Sequence, residues 1–366
     1  MRRLSLVIAL VLLVVVAAVW AAEVQIWPKI PGQPNYGIGL PENVYGSHPV
    51  DRETWGESYF FLSKLDDGTH TFATVFITNM GPGSGNTTMD LAVCEPNGQN
   101  HWGRTEMKRG TTQAATDRMD VQLDTSRIWG KFPNFNVKMD VQKCAVDLKY
   151  RSTLPGYAIN SGRVVYGSPA DYYSNYVIIP RAEVTGTIRT PAGARQVKGY
   201  GYSDHGAVTL MPHKYSRRWY SLRSFHPKYT LNILEFTVPQ EYGGRTVPMI
   251  LFAKGDKILY AGDRYTLTPS QMQTDPKYGV KWPKRMDFVL DRPGVAKVEG
   301  FYTVQRTIEV VNVLDRMSFL ERQIAGFFTK SYVYRFVANL SAKVTLPDGT
   351  VESIETPAVS EVLEIR

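Results

Sequence analysis

Apolar and polar residues take turns along most of this chain. Tyr59 to Leu65 and Thr71 to Thr78 alternate on either side of Asp66-Asp67-Gly68, which predicts a hairpin. Short alternating stretches follow at Met89 to Val93, Met119 to Leu123, Asn136 to Met139, Cys144 to Tyr150 and Tyr176 to Ile188. Gly81 to Asn86 and Pro96-Asn97-Gly98 punctuate them. After residue 220 the pattern restarts: Tyr229 to Val238, Val247 to Ala253, Lys257 to Tyr260, Met286 to Leu290, Ala296 to Val311, Tyr332 to Leu346 and Val359 to Ile365. Closely spaced short strands with Gly/Pro turns predict an all-β chain of antiparallel barrels or sandwiches. Neither a glycine-rich phosphate loop nor strand–helix alternation is present in the sequence, which argues against a dinucleotide fold. One stretch has a different period. Leu314, Met317, Leu320, Ile324 and Phe327 recur every three or four residues and predict a helix over 313–329. It reads as a cap on a barrel end, or as a lid or membrane-touching surface.

A faint echo divides the strands into two related sets. Val184 to Ile188 with Pro191-Ala192-Gly193 resembles Val344 to Leu346 with Pro347-Asp348-Gly349, each followed by a strand. The expected organisation is a leader at 1–22, a Pro-rich irregular arm at 23–56, a first barrel at 57–215 and a second at 216–366. Arg2 and Arg3 ahead of an apolar run from Leu4 to Ala22 have the form of an export signal. Cleaved, it leaves a periplasmic or extracellular protein; uncleaved, residues 4–22 anchor the same protein to a membrane.

Composition narrows the function classes. With 43% apolar and 21% charged residues the 366-residue chain is globular, and 21 tyrosines favour strands. The net charge of +8 falls to about +6 without the two leader arginines, and no Lys/Arg run marks a nucleic-acid surface. Mild basicity fits solubility, or peripheral contact with an anionic membrane. Cys94 and Cys144 are the only cysteines. In an exported chain they form one disulfide or remain two buried thiols.

Candidate chemistry centres on Gly199-Tyr200-Gly201-Tyr202-Ser203-Asp204-His205-Gly206. Asp204 and His205 are neighbours, so on a regular strand they face opposite ways unless the chain bends at Gly201 or Gly206. Their plain reading is ordinary turn or interface hydrogen bonding. Glu235 shares a face with Leu231 and Ile233; an apolar setting would raise its pKa and suit it to be a general acid. Its plain reading is an exposed carboxylate or a partner of Arg217, Arg218 or Arg223. Trp219, Tyr220, Phe225 and Tyr229 join Tyr202 as an aromatic group for an apolar ligand or for a core. The spacing of His205, His213 and His226 fits no metal pattern, and Ser203-Asp204-His205 is too contiguous to be a serine triad.

Gly199, Gly201, Tyr202, Asp204 and His205 resemble the strand that closes the first barrel in tandem lipocalin-like proteins, the family of carotenoid 1,2-hydratases and AttH-type proteins. Glu57 to Phe61, Leu65 to Gly68 and Tyr278 to Pro283 extend the likeness. The resemblance implies two tandem lipocalin-like barrels, no cofactor and no metal, and an isoprenoid or lipid-like ligand. It implies that His205, Asp204 and Glu235 carry acid–base chemistry such as alkene hydration or cyclisation; the alternative is a non-catalytic lipid carrier or chaperone. The hydratases shelter a cation with a tryptophan where this chain has Ala207, a departure that weakens the catalytic reading.

Overall fold

The computed structural model describes residues 23–80, 85–107, 112–316 and 330–366. Among them the alternating stretches become two curled antiparallel sheets. Side by side, the first runs Asn100–Met107, Asn86–Cys94, His70–Thr78, Gly56–Leu65, Gly193–Val208, Ser168–Thr190, Cys144–Ser152, Asn134–Val141, Ser126–Lys131, Met119–Leu123 and Gln113–Ala114. The second runs Lys257–Gly262, Thr246–Lys254, Tyr229–Thr237, Arg218–Phe225, Val351–Ile365, Ser331–Thr345, Ala296–Asn312, Lys281–Arg292 and Thr266–Thr274.

The two sheets share one topology. In each, the first strand of the main meander pairs with the last: Gly56–Leu65 with Gly193–Val208, and Arg218–Phe225 with Val351–Ile365. In each, the free edges fall after the fourth strand of that meander. The sequence echo sits at equivalent places, the last hairpin of each sheet.

Alternation sorts the side chains into three apolar layers. One fills the first sheet's concave side with Tyr59, Phe61, Phe135 and Tyr150. One fills the second's with Tyr220, Leu231, Phe288 and Phe336. The third lies between the sheets, where Leu62, Phe72 and Tyr202 meet Phe225, Phe236 and Leu251. Gly201 is fixed by this packing, because a Cβ there would lie 2.5 Å from the Tyr150 ring.

The Pro-rich arm is irregular for most of its length but well packed. Val24–Ile26 pairs with Arg163–Tyr166, which pairs with Ser168–Thr190. The Trp27 indole, 2% exposed, donates to the carbonyl of Pro248 in the second sheet (2.9 Å). The leader at 1–22 lies outside the described residues. So does the helix read over 313–329, except for a 3-10 turn at Val313–Arg316. No described helix is long and apolar enough to cross a membrane.

Both cysteines are free and buried. They belong to different layers, Cys94 between the sheets and Cys144 inside the first. Burial pushes the Cys144 thiol up to about 12 and Cys94 further still. Thiol titration of non-reduced protein should therefore give two per chain in denaturant and none in the native state. Zero in denaturant would mean a bridge.

Candidate functional site

The strand Gly193–Val208 holds an unbroken register with Gly56–Leu65 from Gly199 to Val208. No bulge turns it on that side, so Asp204 and His205 face opposite ways.

His205 points into the first sheet's concave side and is 1% exposed. Its Nδ1 lies 2.9 Å from the Val44 carbonyl and its Nε2 lies 2.8 Å from Glu57 Oε1. Both nitrogens face internal acceptors, so neither is turned toward a substrate. Tyr59 stacks on it at 4.1 Å. Glu57 also accepts from the Ser47 hydroxyl and the His48 N–H. Burial alone would raise the Glu57 pKa, but the bonds from His205, Ser47 and His48 outweigh it and hold the carboxyl below its ordinary value. Burial and the neighbouring His205 lower the pKa of His48. The network pins the arm at Val44, Ser47 and His48 across the barrel interior.

Asp204 faces the layer between the sheets and begins a chain of alternating charge. Arg223 lies 3.6 Å from Asp204 and also bonds Glu361. Glu361 meets Arg335 at 2.9 Å, Arg335 pairs with Glu309, and Glu309 meets Arg316 at 3.0 Å. Sheet register builds most of the row, since Ser221, Glu361, Arg335 and Glu309 are direct cross-strand partners. First-sheet rings lie against it. Arg223 sits 4.6 Å from the Tyr202 ring, Arg335 4.0 Å from Phe72 and Arg316 4.8 Å from Trp102. Desolvation raises Asp204 to about 6 despite Arg223, whose guanidinium lies closer to Glu361.

Glu235 occupies a third place, half-buried on the second sheet's concave side beside Leu231 and Ile233. Desolvation raises it to about 7, opposed only by the Tyr265 hydroxyl. The arginines that could have paired with it are engaged elsewhere: Arg218 meets Glu364 at 2.6 Å and Arg223 belongs to the row. The three expected acid–base residues thus sit in three separate compartments.

The aromatic group divides too. Tyr202, Trp219 and Phe225 pack between the sheets, and Tyr220 and Tyr229 inside the second. Trp219 stacks on Phe236 at 4.5 Å, and Tyr229 on Phe252 at 5.5 Å. Sequence reasoning missed the partners Glu57, Ser47 and His48 and the whole ionic row. The signal for the row was a charge set among apolar residues within each strand, at Arg223, Glu309, Arg335 and Glu361.

Two curled sheets of one topology, each packed with apolar side chains and joined back to back, define a tandem lipocalin-like protein. A solved AttH protein of Nitrosomonas europaea shares this fold, with a TM-score of 0.62 at 11% identity over 92% of this chain and 98% of that one. A model of the Svf1 family matches residues 49–363, and the chain belongs to that family. The ceramide-binding protein svf1 of Emericella nidulans is 26% identical over 224 residues, 58% of each chain. The ceramide-binding protein SVF1 of Yarrowia lipolytica is 24% identical over 345 residues, 84% of this chain and 85% of that protein. The match to the Emericella relative thus spans a little over half of its length.

The family assignment corrects the resemblance to the carotenoid 1,2-hydratases. What the chain shares with them at 199–205 is a strand pattern that packing explains. A Cβ at Gly199 would lie 2.3 Å from the Lys64 carbonyl, and Gly201 makes room for Tyr150.

Two outcomes test the electrostatics. His205→Ala strands Glu57 in a dry interior and should cost about 3 kcal/mol in urea unfolding. Asp204 acts in the opposite sense. The fold disfavours its ionised form, so its contribution is best below its ordinary value of 3.8 and is lost as pH rises through about 6. Asp204→Asn should therefore stabilise by about 2 kcal/mol at pH 8, with the gain gone by pH 4. A loss of stability at pH 8 would refute that account.

Proposed function

We propose that this protein binds and carries a lipid of the ceramide class without transforming it. The observation that carries the reading is the family match over residues 49–363, within a family whose curated members are called ceramide-binding proteins. The geometry supports carriage over catalysis. An alkene hydration needs an acid, a water and a sheltered cation in one place. Here Asp204, His205 and Glu235 are held apart by the alternation of their own strands, and both nitrogens of His205 are committed to internal bonds. Apolar concave sides under curled sheets suit long hydrocarbon chains, which contribute about 0.8 kcal/mol per buried methylene.

Protein purified from a eukaryotic host should yield ceramide on lipid extraction and mass spectrometry, near one molecule per chain. Incubation with ceramide should return it chemically unchanged. Protein that extracts ceramide neither from its host nor from phosphatidylcholine vesicles containing it would end this reading.

A further inference from the structure

We propose that Glu235 anchors the lipid headgroup inside the second barrel, accepting hydrogen bonds from the amide N–H and hydroxyls of a ceramide-like molecule. This rests on the lipid-carrier reading above and adds the place and the recognition chemistry.

Glu235 is a half-buried carboxylate on an apolar face. Other acids turned into the concave sides face a basic side chain: Glu57 has His205, and Glu364 has Arg218. Glu235 has no cationic partner among the described residues. Its cross-strand neighbours are Tyr220 and Pro248. The Tyr265 hydroxyl is the donor beside it, and that hydroxyl is shared with the Leu234 carbonyl at 3.2 Å. Tyr302, buried on Ala296–Asn312, completes the surroundings. Arg218 and Glu364 are the nearest charges further along and neutralise each other. A charge in such a setting costs several kcal/mol unless donors meet it.

The fold also offers a way in. Tyr265 lies between the sheet's two free edges, Lys257–Gly262 and Thr266–Thr274. Leu259 and Tyr260 on one edge and Leu267 on the other are half-buried against the apolar core. Hydrocarbon placed along the half-buried Leu259, Leu267 and Tyr265 would bring a headgroup to Glu235.

A ceramide head carries one N–H and two O–H donors on adjacent carbons and no charge. A carboxylate has about four acceptor sites and makes charge-assisted bonds roughly twice as strong as neutral ones. Ligand donors thus do what the Arg218 guanidinium does for Glu364. A lipid with a single hydroxyl offers one such bond.

The experiment uses a fluorescently labelled short-chain ceramide and the full chain, wild type and Glu235→Gln, at pH 6 and pH 8. Ligand donors favour the ionised carboxylate, so affinity rises with pH through about 7. The expected wild-type affinity is about tenfold weaker at pH 6 than at pH 8. Burial raises the pKa of Tyr220, Tyr265 and Tyr302, which keeps these phenols neutral over this range. Glu235→Gln should be at least as stable as wild type at pH 8, bind more weakly there and lose the pH dependence. A slope arising from His48 would persist in this variant. Equal wild-type affinity at the two pH values, a slope retained by Glu235→Gln, or failure of the variant to fold would each overturn the anchor. Absence of ceramide binding by the wild type at both pH values would overturn the lipid reading itself.

Discussion

Two sheets can pack back to back only if the surface between them becomes dry. That constraint governs this molecule. The strands that meet there, Gly56–Leu65 and Arg218–Phe225 among them, then have no wet face along much of their length, and every charge on the joining faces needs a partner made by the fold itself. The row from Asp204 through Arg223, Glu361, Arg335 and Glu309 to Arg316 meets that need by alternating sign, while rings of the first sheet cover it. Such pairs are poor sources of net stability compared with hydrocarbon of the same volume. What they contribute is register, because the row forms only when four strands align as they do.

Period-two reading revealed the fold class and how its residues face. It placed Glu235 with Leu231 and Ile233, and it set Asp204 against His205. It failed where partners are distant: Glu57 reaches His205 across 148 residues and Arg223 reaches Glu361 across 138. It also failed at strands with little to bury. Asn100–Met107 is polar through much of its length, and Thr266–Thr274 is an edge strand mostly exposed to solvent. Arg218–Phe225 was obscured by the very charges that join the sheets. The likeness of 199–205 to hydratases misled about family because the glycines there answer to packing, which unrelated activities on one fold share.

Separating the ionisable residues has a functional meaning. A site that protonates carbon needs its acid poised over substrate, whereas a carrier needs an interior that holds still. The Glu57–His205 pair ties the arm at Val44, Ser47 and His48 into the first interior. Glu235 differs because its surroundings leave it without a counter-ion.

The ionic row also limits how this sequence can drift. Removing one of the three inner members leaves its neighbour charged in a dry layer, so Glu309, Arg335 and Glu361 are free to change only by exchange or loss in matched sets. Lineages within the family should then diverge there in jumps, through rare intermediates of poor solubility, while the exposed edge Thr266–Thr274 wanders one residue at a time.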